Sequence, residues 1–382
     1  MDFSLSAEQR NLKQAAADFA RGELNRDLAE RERSSEFSRE AWEACARFGI
    51  QGLPIPAELG GGGADILTTV LVMEGLGYGS RDNGLIFSLN AQLWSVELPL
   101  VKFGTPEQQR AYMPGLMSGE LVGVHAMTEP ESGSDAFSMR TRVERRNEGY
   151  VLTGTKQYVT NAPIADVMLV FAAHPDKASM AGISAFLVEK GTPGLTVTHH
   201  MDKMGLRTSP MAEVVLDECV VPVTNRLGPE GAGIAIFNST MVWERSCILA
   251  GALGSMQRQL EASVEYARQR KQFGEAIGKF QAVAGKVADM YLRLEAARLL
   301  VYQAAWLGQQ GGGGAAAAAA AAKLFTSEAW VASSLDAVQL HGAYGYMTES
   351  GVERDLRDAV ASTIYSGTSE IQRVILARML GL

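Results

Sequence analysis

The chain is poor in cysteine. Cys45, Cys219 and Cys247 are its only three in 382 residues, and they lie far apart. No CxxC pair or zinc spacing exists, which fits buried thiols in a reducing cytoplasm. A basic excess is also lacking. Lys and Arg total 35 against 43 Asp and Glu, a net charge of -8, so neither nucleic acid nor an anionic membrane is an expected partner. No apolar run reaches the roughly 18 residues that span a bilayer. The longest, Val167 to Ala173, reads as a buried strand. No GxGxxG is present, and Gly278-Lys279 and Gly285-Lys286 are not followed by Ser or Thr, so Rossmann and P-loop readings fail. His199-His200 is the one histidine cluster. Adjacent strand residues face opposite sides, so it makes a poor chelate and no metal site is expected. No signal peptide is read at the N-terminus, where Asp2 precedes Ser6-Ala7-Glu8-Gln9, the pattern of a capping box.

What is present has an α, then β, then α order. Domains of about 100–200 residues are the size expectation. Residues 1–122 read as helical, with Leu12, Ala16, Phe19 and Ala20 at helical spacing. Residues 123–230 carry short β-rich runs: Tyr150 to Thr160, Val167 to Ala173, Ile183 to Glu189, Leu195 to His199 and Ala212 to Pro222. Residues 231–382 are helical again. Phe280, Val283, Val287, Met290, Leu294, Ala297 and Val301 keep the 3–4 spacing of a bundle helix. Gly311 to Ala322 reads as a flexible turn entering an Ala-rich helix, or as a low-complexity expansion.

Five stretches, in order, resemble the acyl-CoA dehydrogenase family. They are Met127-Thr128-Glu129-Pro130-Glu131-Ser132-Gly133-Ser134-Asp135, Lys156 to Asn161, Tyr266 to Gly274 with Phe280-Gln281, Gln339 to Gly345, and Tyr365-Ser366-Gly367-Thr368-Ser369-Glu370-Ile371-Gln372-Arg373. The resemblance implies an α+β chain: an N-terminal helical domain, a middle β-barrel or sandwich and a C-terminal four-helix bundle. It also implies bound FAD and a homotetramer. Carried over residue by residue, it assigns FAD contacts to Met127, Thr128, Gly133, Ser134, Tyr158, Thr160, Arg270, Gln272, Phe273, Gln281, Gln339, Gly342, Ala343, Thr368 and Glu370. Tyr158 stands where the family usually has Trp, and Ala343 where it has a second Gly. Arg270 is implied to reach the flavin pyrophosphate of a neighbouring subunit. Ser134, Arg245, Ser366 and Gly367 are implied to contact substrate.

The family reaction removes a proton and a hydride from adjacent carbons of an acyl thioester. Most members place the proton-abstracting Glu after the signature Tyr; here that residue is Ser366. A hydroxyl without a base cannot take a proton from carbon at neutral pH. Some members carry the base on the long helix in a motif ending Glu-Arg, which makes Glu244 of Trp243-Glu244-Arg245 the expected catalytic base. Ser366 is then expected to serve through its backbone N–H alone, as an oxyanion donor. Trp243 either walls the pocket or belongs to the core.

Asn161 to Asp166, Trp243 to Arg245 and Ser366 to Ser369 together resemble the L-prolyl carrier-protein dehydrogenases. These oxidise an amino acid on a phosphopantetheine arm, in two rounds, to a pyrrole, in pathways such as antibiotic biosynthesis. A catabolic acyl-CoA dehydrogenase for short or branched acyl groups, a flavin monooxygenase on the same fold and a non-catalytic scaffold are the alternatives. An acidic carrier protein needs a basic dock, and Arg140 and Arg142, read as one face of a strand, are the candidate; the alternative is a solvated strand edge whose charges guard against aggregation.

Overall fold

The computed structural model describes residues 4–147, 149–175, 182–311 and 314–382. Asp2, Gly312 and Gly313 fall outside them. The first domain holds α1 (Ala7–Glu23), α2 (Leu28–Ser34), α3 (Arg39–Phe48), α4 (Ile66–Gly79), α5 (Asn83–Gln92), α6 (Leu98–Phe103) and α7 (Pro106–Met117). The capping box is formed: Ser6 Oγ accepts from Gln9 N–H, and Gln9 Oε1 accepts from Ser6 N–H, both at 3.1 Å. Between α5 and α6, Leu93–Glu97 forms a π-helical turn.

The middle domain holds β1 (Gly123–Ala126), β2 (Arg142–Arg146), β3 (Gly149–Thr160), β4 (Val167–Ala173), β5 (Ile183–Glu189), β6 (Leu195–Val197), β7 (Met211–Pro222) and β8 (Arg226–Leu227). They form an eight-stranded sheet in the order β6-β7-β3-β2-β4-β5-β8, with β1 parallel to β4. The long antiparallel β3–β7 pair slips register between Lys156 and Val159. Arg140, expected on a strand with Arg142, lies before β2 begins.

The last domain holds α8 (Gly233–Cys247), α9 (Ala250–Gln269), the hairpin β9 (Lys271–Gln272) and β10 (Glu275–Ala276), α10 (Gln281–Gln310), α11 (Ala315–His341), α12 (Ala343–Tyr346), α13 (Val352–Ala361) and α14 (Ser369–Met379). Helices α8 to α11 pack together as a bundle. Met290, Leu294, Ala297 and Val301 of α10 are buried, as their spacing requires. α10 is closed by Gly311 in the left-handed region (φ 64°), and Ala319, Ala320 and Ala322 of the alanine run are buried on α11.

Two features lock the first domain onto the last. α4 crosses α9 at backbone contact: a Cβ on Gly77 would lie 1.9 Å from the carbonyl oxygen of Gly251. No larger residue fits there. Asn83 Nδ2, on α5, donates to Asp355 Oδ1 and Asp358 Oδ2 at 2.9 Å each, and the Leu206 N–H donates to Asp358 Oδ1 at 2.6 Å. Among the described residues, no helix is long and apolar enough to cross a membrane.

Candidate active site

Glu244 lies on α8, near its C-terminal end, and both of its carboxylate oxygens are taken. Ser366 Oγ donates to Oε1 at 2.5 Å, and Ser95 Oγ donates to Oε2 at 2.8 Å. Ser366 comes from the turn between α13 and α14, and Ser95 from the π-helical turn. Three segments distant in sequence, two from the last domain and one from the first, therefore meet at one carboxylate.

The signature turn is tight because two consecutive residues are left-handed: Ser366 (φ 56°) and Gly367 (φ 87°). That region is costly for a residue with a Cβ and is held only by its surroundings. Here Gln372 Nε2 donates to the carbonyls of Ser366 (3.1 Å) and Gly367 (2.9 Å). Thr368 Oγ1 caps α14 by accepting from the Ile371 N–H. Arg245 Nε approaches the Ser366 carbonyl at 3.4 Å. The Ser366 hydroxyl, expected to be idle, instead binds the candidate base.

The titratable groups around Glu244 are desolvated. Burial draws the His125 imidazole below its ordinary value, opposed by Glu244. Its Nε2 is buried without a partner, and its ring packs among Phe171 and Phe237. Burial, helped by Arg245, draws the Lys323 ammonium down to about 8; Lys323 is fully buried and its Nζ has no hydrogen-bond partner. Burial pushes the Tyr365 phenol up. Trp243 turns toward α10, where a Cβ on Gly308 would come within 2.9 Å of its ring, so it packs in the core.

The predicted flavin ligands fall into groups. In the middle domain, Met127 is buried and Thr128 half-buried, while Gly133 and Ser134 are exposed. A buried ion pair anchors this loop: Lys156 Nζ donates to Glu129 Oε1 (2.8 Å) and to the Met127 carbonyl (3.1 Å). Glu129 also accepts from the N–H groups of Arg140 and Thr141. Burial opposes ionisation of Glu129, but Lys156 and these donors outweigh it and hold the carboxyl below its ordinary value. The β3 register slip sets Tyr158 at φ 57° with 58% of its surface exposed. A bulge of this kind re-aims a side chain, and an exposed aromatic face suits a planar ring system. Thr160 follows on the same strand.

The second group lines a groove of about 670 Å³, where Arg270 and Gln272 face Gly342 and Ala343, with Tyr266, His341 and Tyr344 between. Gly342 has φ 61° and open space around its Cβ position, so a ligand can approach the backbone there. Phe273 is 95% exposed, its ring edgewise to Phe280 at 6.0 Å. Gln281 and Gln339 are exposed close by in sequence, whereas Thr368 and the exposed Glu370 stand at the start of α14 and do not line the groove. A cation, an open glycine turn and an uncovered aromatic are suitable fittings for a flavin dinucleotide. The groove is lined by no residue of the middle domain and not by Glu244.

Sequence reasoning missed Ser95, His125, Lys156 and Lys323. Ser95 carried no signal, being one hydroxyl in the apolar run Leu93-Trp94-Ser95-Val96. Lys323 did carry one, as a lone cation amid Ala and Leu on a bundle helix.

The chain matches the acyl-CoA dehydrogenase N-terminal domain over residues 6–120, the middle domain over 125–219 and the C-terminal domain over 231–381. It is 42% identical over 382 residues to an L-prolyl-[peptidyl-carrier protein] dehydrogenase of Serratia sp. (strain ATCC 39006), covering 100% of this chain and 99% of that one. The crystal structure of the prolyl acyl carrier protein oxidase AnaB superposes with a TM-score of 0.97 at 48% identity, covering 99% of this chain and 100% of the other. The structure of PigA with FAD and proline superposes with a TM-score of 0.97 at 42% identity, covering 100% of both chains.

Proposed function

This chain belongs to the acyl-CoA dehydrogenase family, and we propose that it is the FAD-dependent dehydrogenase of a prolyl group carried as a thioester on a carrier protein, in natural-product biosynthesis. The observation that carries the chemistry is the meeting of Glu244 with Ser366. The full-length likeness to prolyl-carrier enzymes supports the substrate.

The α-hydrogen of a thioester is acidic only if charge can build on the carbonyl oxygen. The Ser366 N–H, which has no acceptor among the described residues, is the donor for that oxygen. Glu244 takes the α-proton. His125 and Tyr365, both desolvated, sense the Glu244 charge, and electrostatic contacts strengthen where water is excluded. FAD supplies the acceptor for the β-hydride. Met127, Thr128, Gly133, Ser134, Tyr158 and Thr160 hold its ring end. Arg270, Gln272, Phe273, Gln281, Gln339, Gly342, Ala343, Thr368 and Glu370 hold its nucleotide end. The separation of the two groups in one chain is met if a second copy supplies the groove. Exposed apolar residues on the hairpin and α10, including Phe273, Leu292 and Trp306, suit burial in a homotetramer. Ser134, Arg245, Ser366 and Gly367 contact the acyl thioester. The three free, buried cysteines fit a cytoplasmic setting.

The test is product mass with prolyl-loaded carrier protein, run beside free acyl-CoA esters and the Glu244→Gln variant. Conversion of prolyl to pyrrolyl on the carrier supports the proposal. Preference for free acyl-CoA overturns the substrate, and normal turnover by Glu244→Gln overturns the base. Loss of a positioned general base costs about 10²–10⁴-fold in rate.

A further inference from the structure

We infer that Ser95 is a positioning residue for the base: from its π-helical turn it holds Oε2 of Glu244 while Ser366 holds Oε1, fixing the plane of the carboxylate. The inference rests on the reading of Glu244 as the base.

α5 and α6 form one continuous helical path, and Leu93–Glu97 widens it by a π turn in which the Leu98 N–H reaches back five residues to the Leu93 carbonyl. Such turns change the phase of a helix and often occur at functional sites. A helical serine commonly returns its hydroxyl to the carbonyl four residues earlier. Ser95 instead donates across the domain boundary, to a residue 149 positions away. All five residues of the turn are buried, so water does not compete for the hydroxyl.

The turn is itself anchored. Gln92 Nε2 donates to Glu97 Oε1 (2.7 Å) and to the Leu116 carbonyl (3.2 Å), while Gln92 Oε1 accepts from the Gly123 N–H (2.7 Å). Trp94 Nε1 donates to Asn90 Oδ1 at 2.7 Å. Burial, opposed by Gln92, pushes the Glu97 carboxyl up to about 8, so near neutral pH it adds little negative charge beside the site. The titratable groups that sense Glu244 are Arg245 on its own helix, His125 on β1, Lys323 on α11 and Tyr365 before the signature turn. None of these donates a hydrogen bond to it; the two serines do.

A free Glu side chain samples several rotamers, and fixing one of them costs entropy. One hydroxyl would leave the carboxylate able to pivot about that contact. Two donors on separate oxygens remove the pivot, and proton transfer from carbon depends on such alignment.

The test compares Ser95→Ala, Ser95→Thr and Glu244→Gln holoenzymes by single-turnover flavin bleaching with prolyl-loaded carrier protein. FAD content, thermal midpoint and KM are measured alongside. Hydrogen bonds to charged groups are worth about 1.5–3 kcal/mol, so Ser95→Ala is expected to bleach about 10–100-fold more slowly. KM, FAD content and midpoint stay near wild type, and Ser95→Thr recovers most of the rate. A wild-type rate in Ser95→Ala overturns the inference. So does a loss that tracks falling FAD content or midpoint, or one that Thr does not relieve. If Glu244→Gln bleaches normally, the base reading itself fails; if it is inactive while Ser95→Ala is at full rate, only the role of Ser95 falls.

Discussion

Ser366 and Glu244 stand 122 positions apart in the chain and are joined by a 2.5 Å hydrogen bond from hydroxyl to carboxylate. The residue in the family's usual base position thus contacts the residue that takes over the base's role in our proposal. This changes the expectation for Ser366→Ala. If only the backbone N–H mattered, the variant would be nearly silent. Losing a donor to a carboxylate instead predicts a fall in kcat of roughly tenfold, with KM and FAD content little changed. Steady-state kinetics with prolyl-loaded carrier protein decides between them.

Arg270 projects into the groove opposite Gly342 and makes no ion pair within the described residues. Its charge is therefore available to a pyrophosphate, and charge-assisted contacts are the stronger kind. Arg270→Ala is expected to purify with reduced FAD content, read from the visible-to-ultraviolet absorbance ratio, and to lose FAD further on dilution. Full occupancy would reduce Arg270 to a surface charge.

Lys323 gives a prediction whose sign follows from its burial. Its folded-state value, about 8, lies below the ordinary 10.5. Between these values the unfolded chain binds the proton and the folded chain does not, so this group makes stability rise with pH across that window. Below about pH 8 the buried charge is a full penalty. Lys323→Met should therefore raise stability at pH 7 by roughly 3 kcal/mol, with the gain shrinking toward pH 10. Thermal midpoints at pH 7 and pH 10 test it; an equal gain at both would show that packing, not charge, is responsible.

The proposed carrier dock on Arg140 and Arg142 loses force in the structure. Arg140 pairs with Glu131, and Arg146 pairs with Glu144 and Glu218. Four arginines (140, 142, 145, 146) against three glutamates leave a net charge of about +1, too little to overcome repulsion between two acidic proteins. Arg140→Glu with Arg142→Glu is accordingly expected to change kcat/KM equally for the carrier substrate and for a short pantetheine thioester. A selective, salt-sensitive loss with the carrier alone would restore the dock.

The α, β, α order was legible in the sequence because it depends on local periodicity. The strands Val167–Ala173 and Ile183–Glu189 have the residue limits read from their apolar runs, and Ser6 with Gln9 forms its cap from side chains three positions apart. Glu244 was named from the resemblance of Trp243-Glu244-Arg245 to a family motif, and the structure sets its carboxylate against Ser366; its role as the base is our proposal. The tertiary structure alone decided the rest. β1 had no pattern of its own and exists by pairing with β4. The π turn leaves no mark on hydrophobic spacing. The hydroxyls of Ser95 and Ser366 reach Glu244 only when helix packing brings three remote segments to one half-buried carboxylate. Such contacts are set by the shape of the assembled core, and no window of neighbouring residues contains both partners.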